Sequence, residues 1–311
     1  MSHFLADCAT AEAASVPLPR EVHPSYSDPN ADILLESGDG VEFHVHSLIM
    51  KMSSGFFRDM LGLPGNLDNQ EPIVMEESAI IVGKLLDLVY PNTGSPEIDP
   101  SLIWEVATAG DKYDMPPALR NLRYIVESKM HANQLDPIVT YSYACRFGWE
   151  DVAKAASTKT LDIDLSTLDE SQISIMDCRG LFRLQNLHRA RREAAFELLD
   201  IAYEPDSHHV AFHRCTTGQL FEPINSCCMT RGDFPFWILL KQSVSRELEK
   251  FSSGKTLHDD EFWRRSEFNE LWKTSFPSHK CNGYDCKAFD RLATKLEVLR
   301  VLNSEHVPKT V

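Results

Sequence analysis

The chain has 311 residues, 43% of them hydrophobic, and 46 acidic against 31 basic side chains give it a net charge of −15 at pH 7. That length suits two domains, and that apolar content is enough for a core in each. No apolar run approaches the ~18 residues that cross a bilayer, and the acidic start MSHFLADCATAEA lacks the basic and then apolar regions of a signal peptide.

The expectation is an intracellular protein, cytoplasmic or nuclear, with no membrane partner. Eight irregularly spaced cysteines read as reduced thiols, not as a disulfide framework. The charge is uneven: residues 1–130 hold 20 acidic and 8 basic side chains, whereas 131–311 hold 26 and 23. The first half would repel phosphate backbones, which argues against direct nucleic-acid binding there and suits solubility or a basic partner.

Residues 1–26 are rich in Ala, Ser and Pro without apolar periodicity, and read as a disordered arm. From Ala31, ADILL reads as a strand covered on both faces, and Ser37-Gly38-Asp39-Gly40 as a hairpin turn. A second strand alternates, with Val41, Phe43 and Val45 on one face and Glu42, His44 and His46 on the other. Two short helices follow in VHSLIMKMSSGFFRDML, with Ser47 and then Ser53 or Ser54 as caps. Their apolar faces are Leu48 with Met52, then Phe56 with Met60 and Phe57 with Leu61, while Arg58 and Asp59 face water.

Gly62 to Glu71 is a loop by composition, and PIVME at Pro72 to Glu76 a short strand. Ser78 is placed to cap a helix striped by Ile81, Leu85, Leu88 and Val89. Asp99-Pro100 opens another, with Leu102, Ile103, Val106 and Ala107 inward, ending at Tyr113. Met115-Pro116-Pro117 forces a break before a helix carrying Leu119, Leu122 and Val126.

In this order, Ala31 to Leu35, Asp39-Gly40, VEFHVH at Val41 to His46, SGFFRDM at Ser54 to Met60 and GDKYDMPPAL at Gly110 to Leu119 resemble a BTB/POZ domain. The LGLP at Leu61 to Pro64 and YPN at Tyr90 to Asn92 are similar to fungal versions. The resemblance implies an α+β unit over residues 27–131, a small sheet flanked by helices, with Asp32, His46, Ser47, Phe56, Phe57, Tyr113 and Met115 as its structural or dimer-surface motif. In some dimeric members the residue after the His is basic and helps to neutralise the Asp; here it is Ser47. No nucleophile joins Asp32 and His46, so they read as structural and not as part of a catalytic triad.

Residues 132–311 read as mostly α-helical, similar to the helical extension of many BTB proteins, without a motif that names a family. Asp136-Pro137 opens a helix with Ile138, Tyr141 and Cys145 on one face, Glu150 to Leu161 is a second, and Glu170 to Tyr203 holds at least one more. Arg183, Arg189, Arg191 and Arg192 form a basic stretch with Glu193 and Glu197 alongside, read as a solvated face. Within it, Arg189 and Arg192 are the candidate partner surface. Trp237, Trp263 and Trp272 are core anchors in the amphipathic stretches Phe236 to Phe251 and Asp259 to Trp272. Pro277 to Asp285 reads as a loop, and Phe289 to Leu302 as a last helix lined by Leu292, Leu296 and Leu299.

Zinc favours two close pairs of N/S ligands. Cys281 with Cys286 is one loose pair, and His213-x-Cys215 with Cys227 another; His208, His209, Cys228 and His279 lie near them, but no CxxC exists. The reading is ordinary thiols and surface histidines, with no metal and no cofactor. No Gly-rich phosphate loop or activated Cys appears, so the chain reads as an interaction module, not an enzyme with a Cys or His nucleophile. The resemblance implies an adaptor or scaffold that self-associates, with Phe4, Leu5, Val16 and Leu18 of the arm available for burial against a second copy, and with a cullin ubiquitin-ligase scaffold as a further partner. The alternative is a BTB regulator of transcription or chromatin that acts through partners. Kelch repeats, a MATH domain and C2H2 spacing are absent.

Overall fold

A computed structural model describes residues 21–63, 71–91, 96–199, 235–273, 275–281, 284–287 and 291–311. The arm residues Phe4, Leu5, Val16 and Leu18, most of the loop after Gly62, and His208 to Cys228 lie outside the described residues. The chain divides into two units, residues 1–126 and 127–311.

The first unit is built on a four-stranded sheet in the order β1-β3-β2-β4. β2 (Ile33–Glu36) and β3 (Glu42–Val45) form the antiparallel hairpin expected around Asp39-Gly40, and Gly40 takes the positive φ of +85° that its turn requires. Gly38 is needed for a different reason. Its N–H donates to the Glu77 carbonyl at 2.8 Å, and an added Cβ would lie 2.5 Å from the Glu76 carbonyl oxygen. Gly38→Ala is therefore expected to cost about 1–3 kcal/mol by overpacking, measurable as a lowered denaturation midpoint. β4 (Ile73–Val74) adds in parallel to β2. The stretch read as the end of a disordered arm instead forms β1 (Val22–Ser27), parallel to β3. Its anchors are tertiary: Tyr26 is buried and donates to Asp87 Oδ1 at 2.9 Å, and His23 stacks on Phe43 at 4.8 Å.

Helices α1 (Ser47–Ser53) and α2 (Gly55–Met60) follow β3 as expected. Ser54 caps α2 by accepting from Phe57 N at 3.0 Å, but Ser47 caps nothing, because Asp32 engages its hydroxyl. The buried faces also differ from the i, i+4 reading. α1 buries Met50 while Leu48 and Met52 are exposed, and α2 buries Phe57 while Phe56 is 43% exposed. On helices of about two turns, several faces carry apolar residues, and packing against the rest of the unit selects among them.

α3 (Ala79–Asp87) buries Ile81 and Leu85, with Leu88 just beyond its end. Its first amide is capped from across the fold: Asp39 Oδ1 accepts from Ala79 N at 2.8 Å, and Ser78 makes no side-chain cap. α4 (Ile103–Lys112) starts later than Asp99-Pro100, whose residues form the turn before it. Ile103, Val106 and Ala107 are fully buried. α5 (Pro116–His131) begins at the expected proline and inserts Leu122 and Val126 into the core.

The second unit is helical in its larger part. α6 (Pro137–Arg146), capped by Asp136, pairs with α7 (Glu150–Thr160), and α8 (Glu170–Ile175) leads into α9 (Cys178–Leu198). α10 (Pro235–Lys250) supplies Trp237, Leu240, Val244 and Leu248 to a core shared with Trp263, Phe268 and Leu271. The stretch Asp259 to Trp272 is not one helix: α11 (Asp260–Trp263), a 3-10 turn at Ser266–Phe268 and α12 (Asn269–Lys273) divide it. Trp263 Nε1 donates to the Leu257 carbonyl at 2.8 Å, and Trp272 is partly buried against the same core.

The expected loop from Pro277 to Asp285 is a hairpin of β5 (Ser275–Cys281) and β6 (Tyr284–Lys287). In the last helix, α13 (Arg291–Leu302), the inward residues are Val298, Val301 and Leu302 with Leu299 packed beside them as expected, whereas Leu292 and Leu296 are exposed.

Candidate functional site

Asp32 enters just before β2, and Ser47 begins α1, so the hairpin brings the two together. Asp32 Oδ1 accepts from Ser47 N at 2.7 Å and Oδ2 from Ser47 Oγ at 2.5 Å. Partial desolvation pushes the carboxyl up, but these two hydrogen bonds outweigh it and hold the group below the usual carboxylate range. The serine thus does part of the work expected of a basic residue, by donating instead of by charge. His46 sits beside it with Nε2 3.5 Å from Asp28 Oδ2, and its backbone N–H donates to Tyr90 Oη at 2.9 Å. Tyr90 was not anticipated from the sequence, and nothing local signals a contact across 44 residues.

The other motif residues form a packing hub. Tyr113 stacks on Phe57 at 5.8 Å, and Phe56 meets both rings edge-on at 5.2 and 5.5 Å. Ser54 Oγ donates to the Tyr113 carbonyl at 2.6 Å, Gly55 N to the Asp114 carbonyl at 2.8 Å, and Met115 is fully buried. The Tyr113 hydroxyl donates to Glu77 at 2.5 Å, and Lys112 bridges Glu76 and Glu77 at 2.7 and 2.9 Å. Desolvation raises the Glu77 carboxyl, and the hydrogen bonds from Tyr113 and Lys112 bring it below its ordinary value. Lys112 and Glu77 are further residues that the sequence reading missed; the acidic pair Glu76-Glu77 before a helix was the available signal.

The surface around these residues has two notable parts. Asp32, Ile33, Leu34 and His44 line a groove of about 570 Å³ with Met60, Leu61 and Ile73. On α1, Leu48 and Met52 are 68% and 76% exposed, one helical turn apart. Neither side chain contributes to the core of the unit. Asp32 is held by the backbone and hydroxyl of Ser47, and His46 lies beside Asp28, an arrangement that positions the start of α1.

In the helical unit the basic stretch divides. Arg191 is buried and donates to the carbonyls of Ser252, Pro308 and Leu302 at 2.6, 2.8 and 3.0 Å, so it is a structural clamp and no part of a solvated face. Arg189 and Arg192 do lie at the surface, the first 3.9 Å from Glu193 and the second 3.2 Å from Glu249. Among the described residues no group of His, Cys, Asp and Glu side chains could hold a metal ion, and no helix is long and apolar enough to cross a membrane. Cys215 and Cys227 are outside the described residues, and of Cys281 and Cys286 the backbone alone, on β5 and β6, is described.

No curated protein matches the chain. The family model of the BTB/POZ domain matches residues 25–130, which contain the sheet from Ser25 onward, α1 to α4, nearly all of α5 and the entire Asp32, His46, Phe57, Tyr113 constellation. Residues 25–130 are therefore a BTB/POZ domain, a protein-interaction fold that is not itself catalytic.

Proposed function

We propose that this protein is an adaptor or scaffold that self-associates through its BTB unit and uses its helical unit to hold a further protein. The observation that carries the reading is the exposed pair Leu48 and Met52 on α1, with half-exposed Phe56 following on α2, in a unit whose core is already closed by Met50 and Phe57. Burying such a face against a second copy removes apolar surface from water at roughly 25 cal/mol per Å². The full chain is expected to sediment as a dimer at micromolar concentration. A Leu48→Glu, Met52→Glu variant should sediment as a monomer with unchanged helical ellipticity, since neither residue supports the core. A wild-type chain that stays monomeric at about 100 μM, a concentration that allows for weak association, would sink the proposal.

Recruitment of substrates to a cullin ubiquitin ligase is the finer form of this reading, and a pull-down with purified cullin tests it independently. The surface bearing Arg189 and Arg192 is the proposed seat of the helical unit's partner. A regulator of transcription or chromatin working through partners would use the same surfaces, and affinity purification with mass spectrometry of the full-length protein separates the two.

A further inference from the structure

Residues 1–130 carry 20 acidic against 8 basic side chains, and the fold gathers part of that surplus at one end of the sheet. β4 pairs in parallel with β2, Leu35 opposite Ile73, so the residues that precede the two strands lie at the same end. Among them are Asp32 and Glu71, and both are exposed. Both line the groove of about 570 Å³, a size inside the range of ligand pockets, ~300–1,000 Å³.

Apart from these two carboxylates and the imidazole of His44, the lining is apolar. Ile33, Leu34, Met60 and Ile73 are half-buried and Leu61 is buried, so the walls keep apolar surface that the core does not cover. Among the described residues no Lys or Arg side chain lines the groove. Asp32 keeps its negative charge there: its oxygens accept from the backbone N–H and the hydroxyl of Ser47, both neutral donors, and these bonds hold the carboxyl below the usual carboxylate range. Beside the groove, His46 stands 3.5 Å from Asp28, so even a protonated His46 leaves the local balance negative. Two carboxylates without a cation, over half-buried apolar side chains, complement Lys and Arg, whose charged heads sit on apolar stems.

We propose that this groove binds an extended basic peptide segment, with an apolar side chain packed on Leu34, Met60 and Ile73 and flanking Lys or Arg side chains on Asp32 and Glu71. Leu48, Met52 and Phe56, which are assigned to self-association, do not line the groove, so this second surface of the BTB unit stands apart from the first. The test uses the full chain and fluorescence anisotropy with labelled Lys-Arg-Leu-Lys-Leu-Arg-Lys and with the same peptide carrying Glu for every Lys and Arg. Glu21→Lys is the control for general attraction to an acidic chain, because Glu21 is exposed and lies outside the groove.

The basic peptide is expected to bind in the micromolar range and to weaken about 10-fold in Glu71→Lys, while Glu21→Lys, with the same change in net charge, moves it less than about 2-fold. Binding should fall about 3-fold in Leu34→Thr, a residue that still suits a strand, and should fall further as salt rises. No binding up to about 1 mM, equal losses in Glu71→Lys and Glu21→Lys, or equal binding of the Glu peptide would each overturn the proposal. If Glu71→Lys fails to fold, Glu71→Gln at the same exposed position should still weaken binding about 3-fold, and an unmoved affinity there would overturn the proposal as well. Sedimentation of Glu71→Lys separates this reading from self-association: the variant should remain a dimer while it loses the peptide.

Discussion

Truncating Phe57 to alanine is expected to destabilise the BTB unit by about 3–5 kcal/mol, and the same change at Phe56 by about 1 kcal/mol. The two rings are adjacent in sequence and equal in size, but Phe57 is fully buried and stacks on Tyr113, whereas Phe56 is 43% exposed and touches its neighbours edge-on. Removing Phe57 leaves a cavity bounded by residues that Ser54, Gly55 and the Tyr113-Glu77 hydrogen bond hold in place, so the site cannot easily collapse. Thermal and urea melts of a fragment spanning residues 21–131, which includes β1, give the comparison directly. That fragment is itself expected to unfold cooperatively. Equal losses in the two variants would contradict the burial assigned to these rings.

The second large effect is a dependence of the helical unit's stability on pH. Burial, and then the neighbouring charge of Arg191, push the His188 imidazole down from its ordinary value to about 4. The folded unit therefore keeps His188 neutral, held by the Thr160 and Ser252 hydroxyls. An unfolded chain protonates it near pH 6.5, so between the two values the unfolded state binds more protons. Stability is complete above about pH 6.5 and is lost as pH falls toward 4, by roughly 3 kcal/mol for a shift of this size. Urea unfolding followed by tryptophan fluorescence, with Trp149, Trp237, Trp263 and Trp272 all in this unit, should show the loss between about pH 7.5 and pH 4.5. In His188→Gln most of that difference should vanish. An unchanged pH dependence in the variant would show that other groups carry it.

What the sequence determined by itself is local. The Asp39-Gly40 turn, the Ser54 and Asp136 caps, the break at Pro116 and the alternation of Val41, Phe43 and Val45 are each dictated by a few consecutive residues, and each appears where those residues require it. Five segments in one order between Ala31 and Leu119 were sufficient to identify the BTB/POZ domain, because their order is itself a sequence property.

The choices among locally equal options were made by tertiary packing. Phe56 and Phe57, or Leu48 and Met50, are indistinguishable to a short helix, and only the neighbouring helices decide which enters the core. β1 has no strand signal of its own and exists because β3 offers an edge and Asp87 a partner for Tyr26. Asp39 displaces Ser78 as the cap of α3 from 40 residues away. Arg191 and Arg192 are adjacent in the chain, yet one clamps three buried carbonyls and the other reaches Glu249 at the surface. A helix turns by about 100° per residue, and where it lies in the fold determines which of two neighbours faces the interior.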